Sequence, residues 1–78
     1  MAALEQATMI SHGKLPYPAG SLVMDTVSER TGHLMGVVEE RTKEGNKLVS
    51  RQAFMRPVGG GPEWDVPLER IRLAEETP

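Results

Sequence analysis

The chain has 78 residues, no cysteine and a net charge of −2. That limits it to one domain that neither a disulfide nor a thiolate-held zinc can stabilise. A chain of this size buries only roughly 60% of its unfolded surface, so its core is small and self-association is one way to enlarge it. Between Gly20 and Ala74 eight basic residues are balanced by eight acidic ones, which disfavours a nucleic-acid surface, whose affinity comes from an excess of Lys and Arg.

Residues 1–19 differ from the rest. Ala2 to Ile10 has Leu4, Ala7 and Ile10 weakly spaced for a helical turn or two, too short to be stable alone. Pro16 and Pro18 then break any helix. We read residues 1–19 as a flexible arm, with Leu15 and Tyr17 able to dock on the domain or on a partner. Met1-Ala2-Ala3-Leu4-Glu5 lacks the basic and apolar regions of a signal peptide. No apolar run approaches the roughly 18 residues of a membrane span. The expectation is a cytoplasmic protein with no membrane partner.

The domain is expected over residues 20–74. Ser21–Thr26 reads as a first strand and Val27–Gly32 as a polar loop. His33–Arg41 reads as a second strand, in which Gly36 signals a bulge or bend. Thr42–Asn46 is a turn, because Gly45 and Asn46 tolerate positive φ. Lys47–Arg56 is a third strand, stopped by Pro57. Three glycines connect it to a fourth strand over Pro62–Val66, where alternation sets Trp64 and Val66 on one side and Glu63 and Asp65 on the other. Pro67–Arg70 fits a single 3₁₀ turn before a last strand over Ile71–Ala74. Residues 75–78 form a tail. The fold class is all-β, a small five-stranded SH3-like barrel with a flexible N-terminal arm.

Two stretches carry resemblances. Gly20-Ser-Leu-Val-Met-Asp25 and Gly32-His-Leu-Met-Gly36-Val-Val38 resemble the opening of KOW-like and related SH3-like barrels. With Arg56-Pro57-Val58-Gly59-Gly60-Gly61-Pro62-Glu63-Trp64-Asp65, the chain also resembles a group of small uncharacterised bacterial proteins that share a Gly-Gly-Gly-x-Glu-Trp-Asp motif. This resemblance spans roughly Gly20 to Leu73 and implies a domain type with no assigned activity. The chain departs from that group in a longer second hairpin and in the polar Ser50-Arg51-Gln52 of its third strand.

No catalytic set emerges. The triple glycine is not followed by the Lys and helix of a phosphate loop. The two histidines, His12 and His33, lack zinc-ligand spacing. Ser11 and His12 lie in the arm, where no scaffold holds a reacting geometry. Glu63 and Asp65 read as surface charges facing Arg56, Arg51 or Arg72. The expectation is a non-enzymatic protein with no cofactor, a small binding or accessory domain whose partner is another protein. Its ligand face is expected at Trp64, Phe54, Arg56, Tyr17 and Glu63. Trp64 reads first as a core anchor and second as a ligand-facing ring, and Phe54 carries the same ambiguity with the core favoured. Two alternatives stay open. One is a nucleic-acid-associated regulator that contacts phosphate through Arg41, Lys43, Lys47 and Arg51. The other is a homo-oligomer that pairs through Val23, Met35 and Val37.

Overall fold

The computed structural model describes residues 7–74. In chain order it contains β1 (Thr8–His12), β2 (Leu22–Asp25), β3 (Thr31–Thr42), β4 (Leu48–Pro57), β5 (Trp64–Pro67), a 3₁₀ turn (Leu68–Arg70) and β6 (Ile71–Leu73). All pairings are antiparallel, so the all-β expectation holds. The strand order is β5-β4-β3-β2-β6, with β1 attached to β3 off that path. β5 and β6 end the order without pairing to each other, so the sheet is open.

β3 organises the molecule. Along one edge its start pairs with β2 and its end with β1, and along the other it pairs with β4 almost throughout. The register skips Met35 between the Leu34–Met55 and Gly36–Phe54 pairs, which is the bulge that Gly36 signalled. The bulge resets the alternation, so that Leu34 and Val37, three apart in sequence, are both buried. On β4 plain alternation buries Ala53 and Met55, and on β5 it buries Val66. With Val23 and Ile71 these side chains form the core, and Leu15, Tyr17, Trp64, Leu68 and Leu73 pack against it.

Three expectations change. Residues 8–12, read as part of a flexible arm with at most a weak helical turn, are a strand, because the edge of β3 offers a ladder that a few isolated residues cannot make for themselves, and Leu15 and Tyr17 of the same arm pack against the core. The sheet therefore has six strands where five were expected. The part of that helical reading over residues 1–6, like the tail at 75–78, lies outside the described residues. Val23 and Val37 do not form a pairing face, since both are buried within the chain itself. Val23 sits in the core cluster, and the backbone of Gly13 lies against Val37. Of the three residues proposed for that face, only Met35 is exposed.

Candidate functional site

The five residues expected to share a ligand face divide between the two sides of the sheet. Trp64 pairs with the buried Met55, and Tyr17 packs on the same core cluster. Phe54 pairs with Gly36 and Asp65, one step out of phase with Met55, so it lies on the opposite side. Arg56 follows Phe54 by two residues and shares its side, where Arg56 Nη2 donates to Glu63 Oε2 at 3.1 Å. The Arg56–Glu63 pairing is thus one of those the sequence suggested.

Trp64 is built in as a staple. The tip of its ring, Cη2, would lie 2.8 Å from a Cβ on Gly32, so the indole rests directly on the glycine backbone. The Arg30 guanidinium carbon lies 3.8 Å from the ring centroid and stacks on the aromatic face. Trp64 Nε1 and Gln52 Oε1 are buried without a hydrogen-bond partner among the described residues. The loop beyond β4 depends on backbone freedom: Gly59, Gly60 and Gly61 all have φ between 88° and 116°, the region that side chains disfavour.

Sequence reading passed over the most elaborate polar cluster. Asp25 is 1% exposed at the end of β2. Arg70, in the 3₁₀ turn, donates to it through Nε at 3.0 Å and Nη2 at 2.7 Å. Ser28 Oγ donates to Oδ2 at 2.8 Å and the Val27 N–H to Oδ1 at 3.1 Å. The Arg70 guanidinium holds the Asp25 carboxyl well below its ordinary value despite burial, with the Ser28 and Val27 bonds adding to the effect. The signal was present as an Asp closing an apolar strand, with Ser three residues on in position to cap the turn. The cluster is closed on itself and ties three elements together, which is a structural role.

A second group lies where β3 and β4 extend beyond the core. Glu39 accepts from Arg41 Nε at 3.3 Å and faces Arg51 Nε at 3.2 Å. Arg51 borders two shallow depressions. One, of about 360 Å³, lies between Leu48–Gln52 and the Pro67–Glu69 corner. The other, of about 410 Å³, lies among Lys14, Leu15, Pro16, Glu39 and Leu68. Both mix apolar side chains with charges of either sign. Among the described residues no group of three or more His, Asp or Glu side chains is placed to hold a metal ion, and no helix is long and apolar enough to cross a membrane. The chain matches no family model, no curated protein and no solved structure.

Proposed function

We propose that the chain is a non-catalytic protein-binding domain of the SH3-like barrel type, a relative of the small bacterial proteins that share the Gly-Gly-Gly-x-Glu-Trp-Asp motif. The strand order β5-β4-β3-β2-β6, with a single 3₁₀ turn before the last strand, supports the barrel type. The binding surface is the pair of depressions on either side of Arg51. The observation that carries this reading is that Arg51 lines both depressions. Leu15, Leu48 and Leu68 supply apolar contact, while Lys14, Arg51, Glu39 and Glu69 supply both signs of charge around it. A surface that mixes apolar side chains with charges of both signs suits a polypeptide segment.

Of the hairpin's basic residues that a nucleic acid would use, Arg41 and Arg51 are paired with Glu39; elsewhere Arg56 is paired with Glu63 and Arg70 with Asp25. A phosphate ligand would have to compete with a carboxylate at each one.

The test is affinity capture from host lysate at moderate salt, run in parallel with wild type and Arg51→Glu. A defined protein recovered by wild type and reduced on the order of tenfold by Arg51→Glu is the expected result. Capture of nucleic acid alone, or of a protein indifferent to Arg51→Glu, overturns the assignment.

A further inference from the structure

Beyond the core, the sheet narrows to three strands, β1-β3-β4. Among the described residues neither outer strand of this arm has a further partner, β4 being covered by β5 only from Gln52 onward. The two edges differ in kind. The β4 edge carries Arg51, is flanked by Lys47, has an irregular register at Val49 and runs into Pro67. These are the devices by which proteins block an exposed edge. The β1 edge has none of them: Thr8-Met9-Ile10-Ser11-His12 contains no Lys, Arg, Asp, Glu, Pro or Gly, and its register to β3 is unbroken. At its centre Ile10 is 68% and Met9 44% exposed.

The direction of the free backbone groups is fixed. The Gly13 N–H donates to the Val37 carbonyl at 2.8 Å, and the Ala7 carbonyl accepts from the Lys43 N–H at 3.1 Å. Backbone groups alternate along an antiparallel strand. Those of Ala7, Met9, Ser11 and Gly13 therefore face β3, and those of Thr8, Ile10 and His12 point to the open edge.

We infer that the β1 edge pairs with the β1 edge of a second copy of this chain, antiparallel and centred on Ile10, to give a two-fold dimer with one continuous sheet across both molecules. In this register Ile10 faces Ile10 and Thr8 faces His12. Each facing pair presents outward donors to outward acceptors, so both hydrogen bonds of each pair close. Met9 comes opposite Ser11. No charged side chain of β1 meets its like. The charged pairs of β3 lie three strand spacings apart across the two-fold, about 14 Å, beyond the screening length of about 8 Å at physiological salt. A peptide of arbitrary sequence would complete the edge as well in hydrogen bonds. A second copy does so while also burying Ile10 against its own equivalent, the self-complementary arrangement that a two-fold interface requires. Two strands of this length bury well under the roughly 1,200 Å² of a standard stable interface, so the dimer forms reversibly with concentration.

The experiment is sedimentation velocity on the full chain from micromolar to millimolar concentration, with Ile10→Pro, Ile10→Lys and Val58→Lys alongside. Wild type is expected to pass from monomer to dimer. Ile10→Pro removes an N–H that points only outward and leaves the ladder to β3 its donors. Ile10→Lys keeps that N–H and sets like charges opposite one another. Each is expected to weaken dimerisation on the order of tenfold or more. Val58→Lys, which charges an exposed apolar position in the β4–β5 loop, is expected to leave it unchanged. Amide exchange on the same samples separates loss of pairing from loss of β1: Gly13 protection must survive in both Ile10 variants, and Ile10 protection in wild type must rise with concentration. A chain monomeric throughout, or a dimer that persists in Ile10→Lys with β1 intact, overturns the inference. Arg51→Glu lies on the other edge of the arm and is expected to leave the dimer intact, so failure here and failure of the binding surface are separate results.

Discussion

At the scale of single residues, the glycines separate what a sequence shows from what only packing decides. Gly36 announced a bulge correctly, yet nothing within 4 Å would meet a Cβ there and its φ is not positive. Of the two glycines within β3, the close approach is at Gly32. A Cβ at that position would lie 2.7 Å from the Arg56 carbonyl oxygen as well as against the Trp64 ring. A backbone oxygen in the β3–β4 ladder cannot step aside as a flexible side chain can. Gly32→Ala is therefore expected to cost about 1–3 kcal/mol, the range for overpacking a filled site. Gly36→Ala should be neutral or slightly stabilising, because it restricts the unfolded chain without a clash. Urea unfolding of the two variants beside wild type checks both, and equal effects would mean that Trp64 does not rest on Gly32 as described. The sequence marks both positions as glycine in a strand. It does not say which one has a tryptophan above it, since that contact joins residues 32 apart in the chain.

At the scale of elements, legibility followed locality. The β3–β4 hairpin is written in its turn residues, and Asn46 does take a positive φ, 53°. The 3₁₀ turn is written in its proline, and the last strand in Ile71 and Leu73. β1 was missed because Thr-Met-Ile-Ser-His is too short for its pattern to decide between turn and strand. What holds it is a partner some 30 residues away, with Thr8 Oγ1 donating to Glu40 Oε2 at 2.7 Å. The residues of the expected ligand face divide for a related reason: alternation separates Phe54 from Trp64, but only the fold shows that Tyr17, from the segment before β2, packs on the core cluster beside Trp64. The Asp25 cluster is the clearest element-level device. It joins the end of β2 to the turn after it and to the 3₁₀ turn, where the Thr26 N–H also donates to the Arg70 carbonyl at 2.8 Å. The folded carboxyl ionises far more readily than the ordinary value of 3.8, so the stabilisation from this pair is complete above that value and is lost as pH falls below it toward the folded one. Unfolding free energy should therefore decline on acidification from about pH 4 toward pH 2. Asp25→Asn should be less stable than wild type at neutral pH and nearly flat over the acid window. Urea midpoints at several pH values measure this, and an acid slope unchanged by Asp25→Asn would assign the loss to other carboxylates.

At the scale of the whole molecule, the fold has two parts with different sources of stability. The described chain measures 49 × 22 × 19 Å with a radius of gyration of 14.6 Å, against about 11 Å for a compact domain of this length. The excess length is the β1-β3-β4 arm. Every buried apolar side chain on β3 and β4 lies at one end of their ladder: Leu34 and Val37 on β3, Ala53 and Met55 on β4. Beyond them the arm holds together by backbone bonds, by the Glu39 ion pairs and by the buried Thr42 side chain, whose Oγ1 accepts from the Lys47 N–H at 3.0 Å. Hydrogen bonds without apolar burial around them open at lower free energy than those inside a core. Two amides of the same strand make the comparison: Leu34, which donates to Ser21, and Thr42, which donates to Lys47, both at 2.9 Å. In dilute solution Thr42 is expected to exchange on the order of tenfold faster than Leu34 or more, with the Leu34 rate following global unfolding. Equal rates would mean that arm and core unfold as one unit. If the β1 edges pair, the arm becomes the centre of a wider sheet, and its weakest strand gains bonds that it lacks alone. Thr42 protection should then rise with protein concentration in wild type and stay at its dilute value in Ile10→Lys, while Leu34 protection reports any gain in global stability separately. The arm that is marginal in one molecule is thus the part whose stability depends most on a second, which accounts for a small core carrying so long an extension.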